Sequence, residues 1–84
     1  MKLELFHKIG PGGEDSAEVR RELMLTPFAD QTEFRNVSFA SHAEALQNKT
    51  GQTQTPALIA GERILVGKEQ ILEWLRLQSP SSTE

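Results

Sequence analysis

The residues in this chain that could do chemistry are defined first by an absence, because none of its 84 residues is cysteine. That removes disulfides, thiolate metal ligands and every mechanism with a cysteine nucleophile. His7 and His42 are the only histidines. They stand far apart in sequence, with no ligand cluster at metal-site spacing, so surface or strand-end positions are expected for them rather than a metal centre. The acidic residues form no recognisable acid/base pair. Ser16 follows Glu14 and Asp15 at what reads as a helix start, where Ser and Asp are favoured as caps for purely local reasons. The run Gly10-Pro11-Gly12-Gly13 could cradle an anion ahead of that helix. It matches neither the phosphate loop, which needs Gly-Lys-Ser/Thr, nor Gly-x-Gly-x-x-Gly, and Glu14 and Asp15 would repel an anion, so it reads as a turn.

The elements that must position these groups follow from patterning. Leu3, Leu5 and Phe6 lie in a short apolar segment ended by the glycine run, which predicts a first strand and a loop. Asp15 and Glu18 have capping-box spacing ahead of Val19, Leu23 and Met24, so a helix is expected from 16 to about 25, with Pro27 ending it. Residues 32–39, with Phe34, Val37 and Phe39, predict a second strand. Ser41 and Glu44 repeat the capping-box spacing before a second helix that Gly51 closes in a left-handed conformation. Ala57-Leu58-Ile59-Ala60, Gly61-Glu62 and Ile64-Leu65-Val66 read as a β-hairpin whose arms are apolar enough for interior strands. Ile71, Leu72, Trp74 and Leu75 mark the apolar face of a last helix, and Trp74 and Phe28 read as core or core-edge groups. The early strand–helix–strand unit implies a right-handed crossover with parallel strands, to which the hairpin adds an antiparallel pair.

Length and charge bound the rest. Eighty-four residues suit one small domain, below the usual size of about 100 to 150. Hydrophobic residues at 37% and charged residues at 25% provide enough apolar material for a folded core. Nine basic against twelve acidic residues give a net charge of -3, and the basic residues are scattered, so nucleic acid is not an expected partner. No apolar run approaches membrane-spanning length and the first residues do not resemble a secretion signal, so a soluble cytoplasmic monomer with no membrane partner is expected.

The segment Gly51-Gln52-Thr53-Gln54-Thr55-Pro56-Ala57-Leu58-Ile59-Ala60-Gly61-Glu62-Arg63-Ile64-Leu65-Val66-Gly67 resembles a stretch of glutaredoxins. In that family a Thr-x-Pro or Val-Pro step leads into an apolar strand, a glycine turn, and a closing glycine before the last helix. The resemblance covers the C-terminal half by motif and the remainder by element order. It implies an α/β, thioredoxin-like (glutaredoxin-like) fold of β-α-β-α-β-β-α order, a four-stranded mixed sheet flanked by helices. The domain would occupy residues 1–78, with the polar residues 79–84 a flexible tail. It also implies a cis bond at Thr55-Pro56.

The resemblance further implies a ligand groove at Glu14, Asp15, Ser16, Ala17, Thr55, Pro56, Gly67, Lys68 and Glu69. Glutaredoxins carry their thiol motif at the start of the first helix, and counting back from Leu23-Met24 places it at Glu14 to Ala17. No sulfur is present there, and a serine hydroxyl is too weakly acidic to replace a thiolate, so thiol–disulfide exchange is excluded. Ser16 could activate glutathione as a hydroxyl does in some glutathione transferases, whose N-terminal domain shares the fold. Those enzymes need a second, helical domain, and capping is the preferred role for Ser16. Gly67-Lys68-Glu69 stands where the family holds the γ-glutamyl end of glutathione, with Glu69 the nearest counterpart, although capping the last helix is its simpler role. What remains is a redox-inactive module that binds a peptide or protein and needs no cofactor. The alternative is weak glutathione binding, or a glutathione-linked activity with the thiol supplied by glutathione. A divergent domain that has lost its ancestral use is the third reading.

Overall fold

Leu3 and Leu5 alternate with Glu4 and Phe6 along the first strand, β1 (Leu3–His7), and alternation sends the two sets to opposite faces of a sheet. In the computed structural model, which describes residues 2–78, both faces are covered and both strand edges of β1 are paired. β2 (Thr32–Asn36) runs parallel to β1 from Leu3↔Thr32 to His7↔Asn36. β3 (Ala57–Ala60) runs antiparallel on the other side, with Leu5↔Leu58. β4 (Arg63–Val66) closes the hairpin with β3, giving the sheet order β2-β1-β3-β4. α1 (Glu14–Met24) connects β1 to β2, α2 (Ala40–Thr50) connects β2 to β3, and α3 (Lys68–Gln78) follows β4. The chain is therefore a small α/β unit with a four-stranded mixed sheet and three helices. The residues 79–84, expected as a tail, lie outside the described residues.

On one face, Leu3, Leu5 and Leu58 are buried with Val19 and Leu23 of α1 and Ile71, Trp74 and Leu75 of α3. Phe28 packs against Trp74 at a ring separation of 5.7 Å, a favourable aromatic distance at the core edge. On the other face, Phe6 and Ala57 are buried with Leu46 of α2.

Several boundaries differ from the sequence expectation for local physical reasons. α1 begins at Glu14, with Gly13 before it and no side-chain cap, so Asp15 lies inside the first turn and the Asp15–Glu18 capping box does not form. α2 likewise begins at Ala40 after Phe39 with no side-chain cap, which places Ser41 inside the helix and removes the second capping box. Gly51 does close α2 in the left-handed region, at φ 75°. Pro27 does not terminate α1, which ends at Met24; it opens a 3-10 turn, Pro27–Gln31, whose Phe28 N–H donates to Thr26 Oγ1 at 3.2 Å. β2 stops at Asn36 instead of reaching Phe39. There the Asn36 side-chain oxygen accepts from Ser38 N–H at 2.9 Å and its carbonyl accepts from Phe39 N–H at 3.1 Å, an Asx-type turn out of the strand. β4 is an edge strand with Arg63 and Ile64 exposed, where an interior strand was expected. Its Val66 N–H is satisfied by Gln70 Oε1 at 3.2 Å.

Glu4 is the one carboxylate in the central strand. Its side chain is only 16% exposed, and it accepts hydrogen bonds from Arg35 Nη2 at 3.1 Å and from Lys49 Nζ at 2.9 and 3.1 Å. Burial alone would raise the Glu4 pKa, but the Lys49 hydrogen bond and the charges of Lys49 and Arg35 outweigh it and hold the group below its ordinary 4.5. A depressed carboxylate contributes stability that is present above 4.5 and lost as pH falls through the folded value. Glu4→Gln is expected to cost about 1–2 kcal/mol at neutral pH, with the gap to wild type narrowing below pH 4.5. Urea denaturation across a pH series measures both.

Candidate functional site

Strand direction decides what meets at the end of the sheet. β1 ends at His7 and β2 at Asn36, β3 begins at Ala57 opposite Phe6, and β4 ends at Val66 opposite Ala57. The loop into α1, the Thr55-Pro56 step and the start of α3 therefore converge at one end, in the place where open α/β sheets carry their ligand crevices.

The first of these segments is a compact turn. Gly13 N–H donates to Gly10 C=O at 2.9 Å, with Pro11 and Gly12 between them and Gly12 at φ 84°; proline followed by a positive-φ glycine is the type II turn pattern. A Cβ on Gly13 would collide with the carbonyl of Lys8, so only glycine lets the loop fold this tightly against the end of β1. Ser16 then lies in the first turn of α1, 1% exposed, and its Oγ accepts from Lys8 N–H at 3.0 Å. The hydroxyl expected to cap α1 thus satisfies the loop instead, because the helix starts two residues before it.

The second segment carries the Thr55-Pro56 bond, which is cis. Pro56 is buried and its carbonyl accepts from Gly67 N–H at 2.8 Å, tying this step to the start of α3. Thr55 is half-buried, and no hydrogen bond engages its backbone N–H or C=O among the described residues. In the third segment, Lys68 Nζ lies 3.7 Å from Asp15 Oδ1 and 3.2 Å from Glu18 Oε1. The hydrogen bond and charge of Glu18, with the charge of Asp15, raise the Lys68 pKa, so the ammonium persists to higher pH than an isolated lysine.

A cavity of about 340 Å³ opens here, lined by Asp15 on one side, Gln54 on a second, and Val66 through Gln70 on the third. Of the residues inferred for the groove, Asp15, Gly67, Lys68 and Glu69 line it. Thr55 and Pro56 adjoin Gln54 in the chain and are not in its wall, while Ser16 is turned to the loop. Glu14 is exposed outside the wall, and Ala17 faces a different depression with Arg20, Arg21 and Met24. Gln54, Val66 and Gln70, which line the cavity, and Glu18, which pairs with Lys68, were missed. Glu18 was legible only as a capping partner, and no local pattern marks Gln54 or Gln70 as cavity residues.

The histidines do not form a metal cluster, and among the described residues no group of three or more His, Asp or Glu could hold an ion. His7 is at a strand end as expected but is buried, 5% exposed, where a surface position was the other expectation. Its Nδ1 accepts from Arg20 Nη1 at 3.1 Å. His42 Nδ1 donates to the Asn36 carbonyl at 3.1 Å. Burial first, then the charges of Arg20 and His42, lower the His7 pKa from 6.5. No family model matches the chain, and no curated protein matches it. Among the described residues no helix is long and apolar enough to cross a membrane.

Chemically, the site offers a strand-entry backbone, a cation already shared by two carboxylates, and no thiol. It is equipped to hold a ligand by hydrogen bonds and charge. Ser16→Ala leaves Lys8 N–H without its acceptor, at an expected cost of about 1–2 kcal/mol seen by denaturation, with faster amide exchange at Lys8. For His7, a folded pKa below 6.5 means that the fold favours the neutral ring. Its contribution to stability is complete above 6.5 and declines as pH falls through that value toward the folded pKa. An NMR titration of the imidazole should give a midpoint under 6.5.

Proposed function

We propose that the chain is a glutaredoxin-like protein of thioredoxin-type fold that has exchanged thiol chemistry for peptide or protein binding at this end of the sheet. The observation that carries the reading is the unengaged backbone of Thr55 beside a cavity whose other walls are the starts of α1 and α3. An extended peptide pairing with Thr55 N–H and C=O would add a short strand, with its side chains directed along the cavity. Support for the fold family comes from the mixed sheet order, with α1 and α3 packed on one face and α2 on the other. The lack of any sulfur nucleophile supports a role without redox turnover.

Charge narrows the ligand. Asp15 and Glu18 already pair with the Lys68 ammonium, and Glu69 lines the same cavity, so a neutral or basic peptide is favoured over an anion. Glutathione, the second reading, has backbone N–H groups at the start of α3 to receive a carboxylate. Against them stand two carboxylates of Asp15, Glu18 and Glu69 beyond the one needed to balance Lys68. This reading takes the protein to be a cytoplasmic monomer with no cofactor and no nucleic-acid or membrane partner.

The test is an amide-resolved NMR titration of the labelled chain with a capped, net-neutral peptide of about six β-branched residues, long enough for one strand. Amides of Asp15, Thr55 and Gly67 are expected to shift together; their immobility at saturating peptide would reject the site. Glutathione is expected to bind in the millimolar range or more weakly, about 4 kcal/mol or less. In a parallel assay, purified protein should not accelerate reduction of insulin or of a mixed glutathione disulfide above a glutathione control. Turnover that survives repurification would overturn the redox-inactive assignment.

A further inference from the structure

α1 and α3 lie side by side on one face of the sheet and both begin at the same end of it. A groove of about 700 Å³ runs between them, within the volume range of ligand-binding clefts. Its lining shares Glu69 with the cavity at the Thr55 end of the molecule. Glu18, Glu22 and Leu25 form one wall; Glu69, Leu72 and Glu73 form the other. Glu22 follows Glu18 by four residues and Leu25, at the C-terminal cap of α1, follows Glu22 by three, while Leu72 and Glu73 lie three and four residues after Glu69, which places each set along one helical face. Leu75 is buried at the base, Leu72 is half-buried, and Leu25 is 77% exposed.

The groove is thus apolar along its floor and mainly acidic along its rims, with four carboxylates against Arg76, the one cation that lines it among the described residues. Glu18 is shared with Lys68. Glu22 and Glu69 have no ion-pair partner among the described residues, and the one for Glu73 is an exposed contact with Arg76 at 3.9 Å. Those carboxylates flank Leu25 and Leu72, the aliphatic side chains of the groove that solvent reaches.

We propose that the α1–α3 groove docks a basic amphipathic helix of a partner protein. Aliphatic side chains at i, i+3 or i+4, and i+7 of that helix cover Leu25 and Leu72, while Lys or Arg on its flanks pairs with Glu22, Glu69 and Glu73. Charge complementarity selects this occupant. The chain's own residues 79–84, Ser-Pro-Ser-Ser-Thr-Glu, carry no cation and no large aliphatic side chain, and add another carboxylate. Each wall helix has eleven residues, about 16 Å of length, so a partner helix of about three turns spans it. The inference stands apart from the Thr55 reading, which concerns an extended peptide and a different set of amides.

The test uses the labelled full chain and two synthetic peptides of about fourteen residues, identical in their leucine stripe but flanked by lysines in one and glutamates in the other. With the lysine peptide, amides of Glu22, Leu25, Leu72 and Glu73 are expected to shift together while Thr55 stays fixed. The exposed double variant Glu22→Gln/Glu73→Gln should weaken that binding by about tenfold, and added salt should weaken it further. Equal binding of the glutamate peptide, or unmoved groove amides at about 1 mM lysine peptide, the limit of weak specific binding, overturns the proposal. Self-association of the chain that disappears in the same double variant also overturns it, by assigning the groove to a second copy.

Discussion

β1 has a strand on each side and helices over both faces, so every side chain it carries must be accommodated in the interior. Leu3, Leu5 and Phe6 meet that demand directly. Glu4 and His7 meet it only through partners, Arg35 and Lys49 for the carboxylate and Arg20 for the imidazole. A polar group buried without such partners costs far more than the bond it would make, so the placement of β2, α2 and α1 is linked to β1 by charge as well as by apolar contact. The same strand fixes where the loop into α1 begins, and Gly13 then holds that loop against Lys8.

The candidate site depends on this centre through direction. With β2 parallel to β1 and β4 antiparallel to β3, α1 and α3 start beside one another. Lys68 makes the adjacency specific by bridging Asp15 and Glu18. Its exposure keeps each pair weak in energy, yet the two contacts orient the ammonium toward α1 and leave Glu69 facing outward between the cavity and the helix groove.

The α/β class, the element order and the hairpin of β3 and β4 were legible because they rest on periodicity and on Pro56, Gly61 and Gly67. Gly51 was legible because a left-handed helix end has one strongly preferred residue. The helix starts were not. Capping-box spacing at Asp15–Glu18 and Ser41–Glu44 is a local pattern, whereas the true starts are set by the Gly10–Gly13 turn and the Asn36 turn, which pull each helix one or more residues earlier. Glu4 with Lys49, 45 residues apart, has no sequence signature at all. β4 misled for a different reason: its apolar residues suit an interior strand, but the hairpin places it at the sheet margin, where Val66 packs only at the edge of the cluster around Leu46 and Ile64 stays exposed.

That margin has a consequence for how the molecule behaves at high concentration. Backbone groups of an antiparallel edge strand point alternately inward and outward. Gly67 N–H points in, to Pro56, and Val66 N–H points out, where the Gln70 side chain occupies it. Within the four residues of β4 this leaves the outward donor at Ile64 as the one backbone N–H open to a foreign strand. A template for sheet extension needs a row of unpaired backbone groups, and Gln70, by taking Val66 N–H, shortens the row that this aliphatic strand presents.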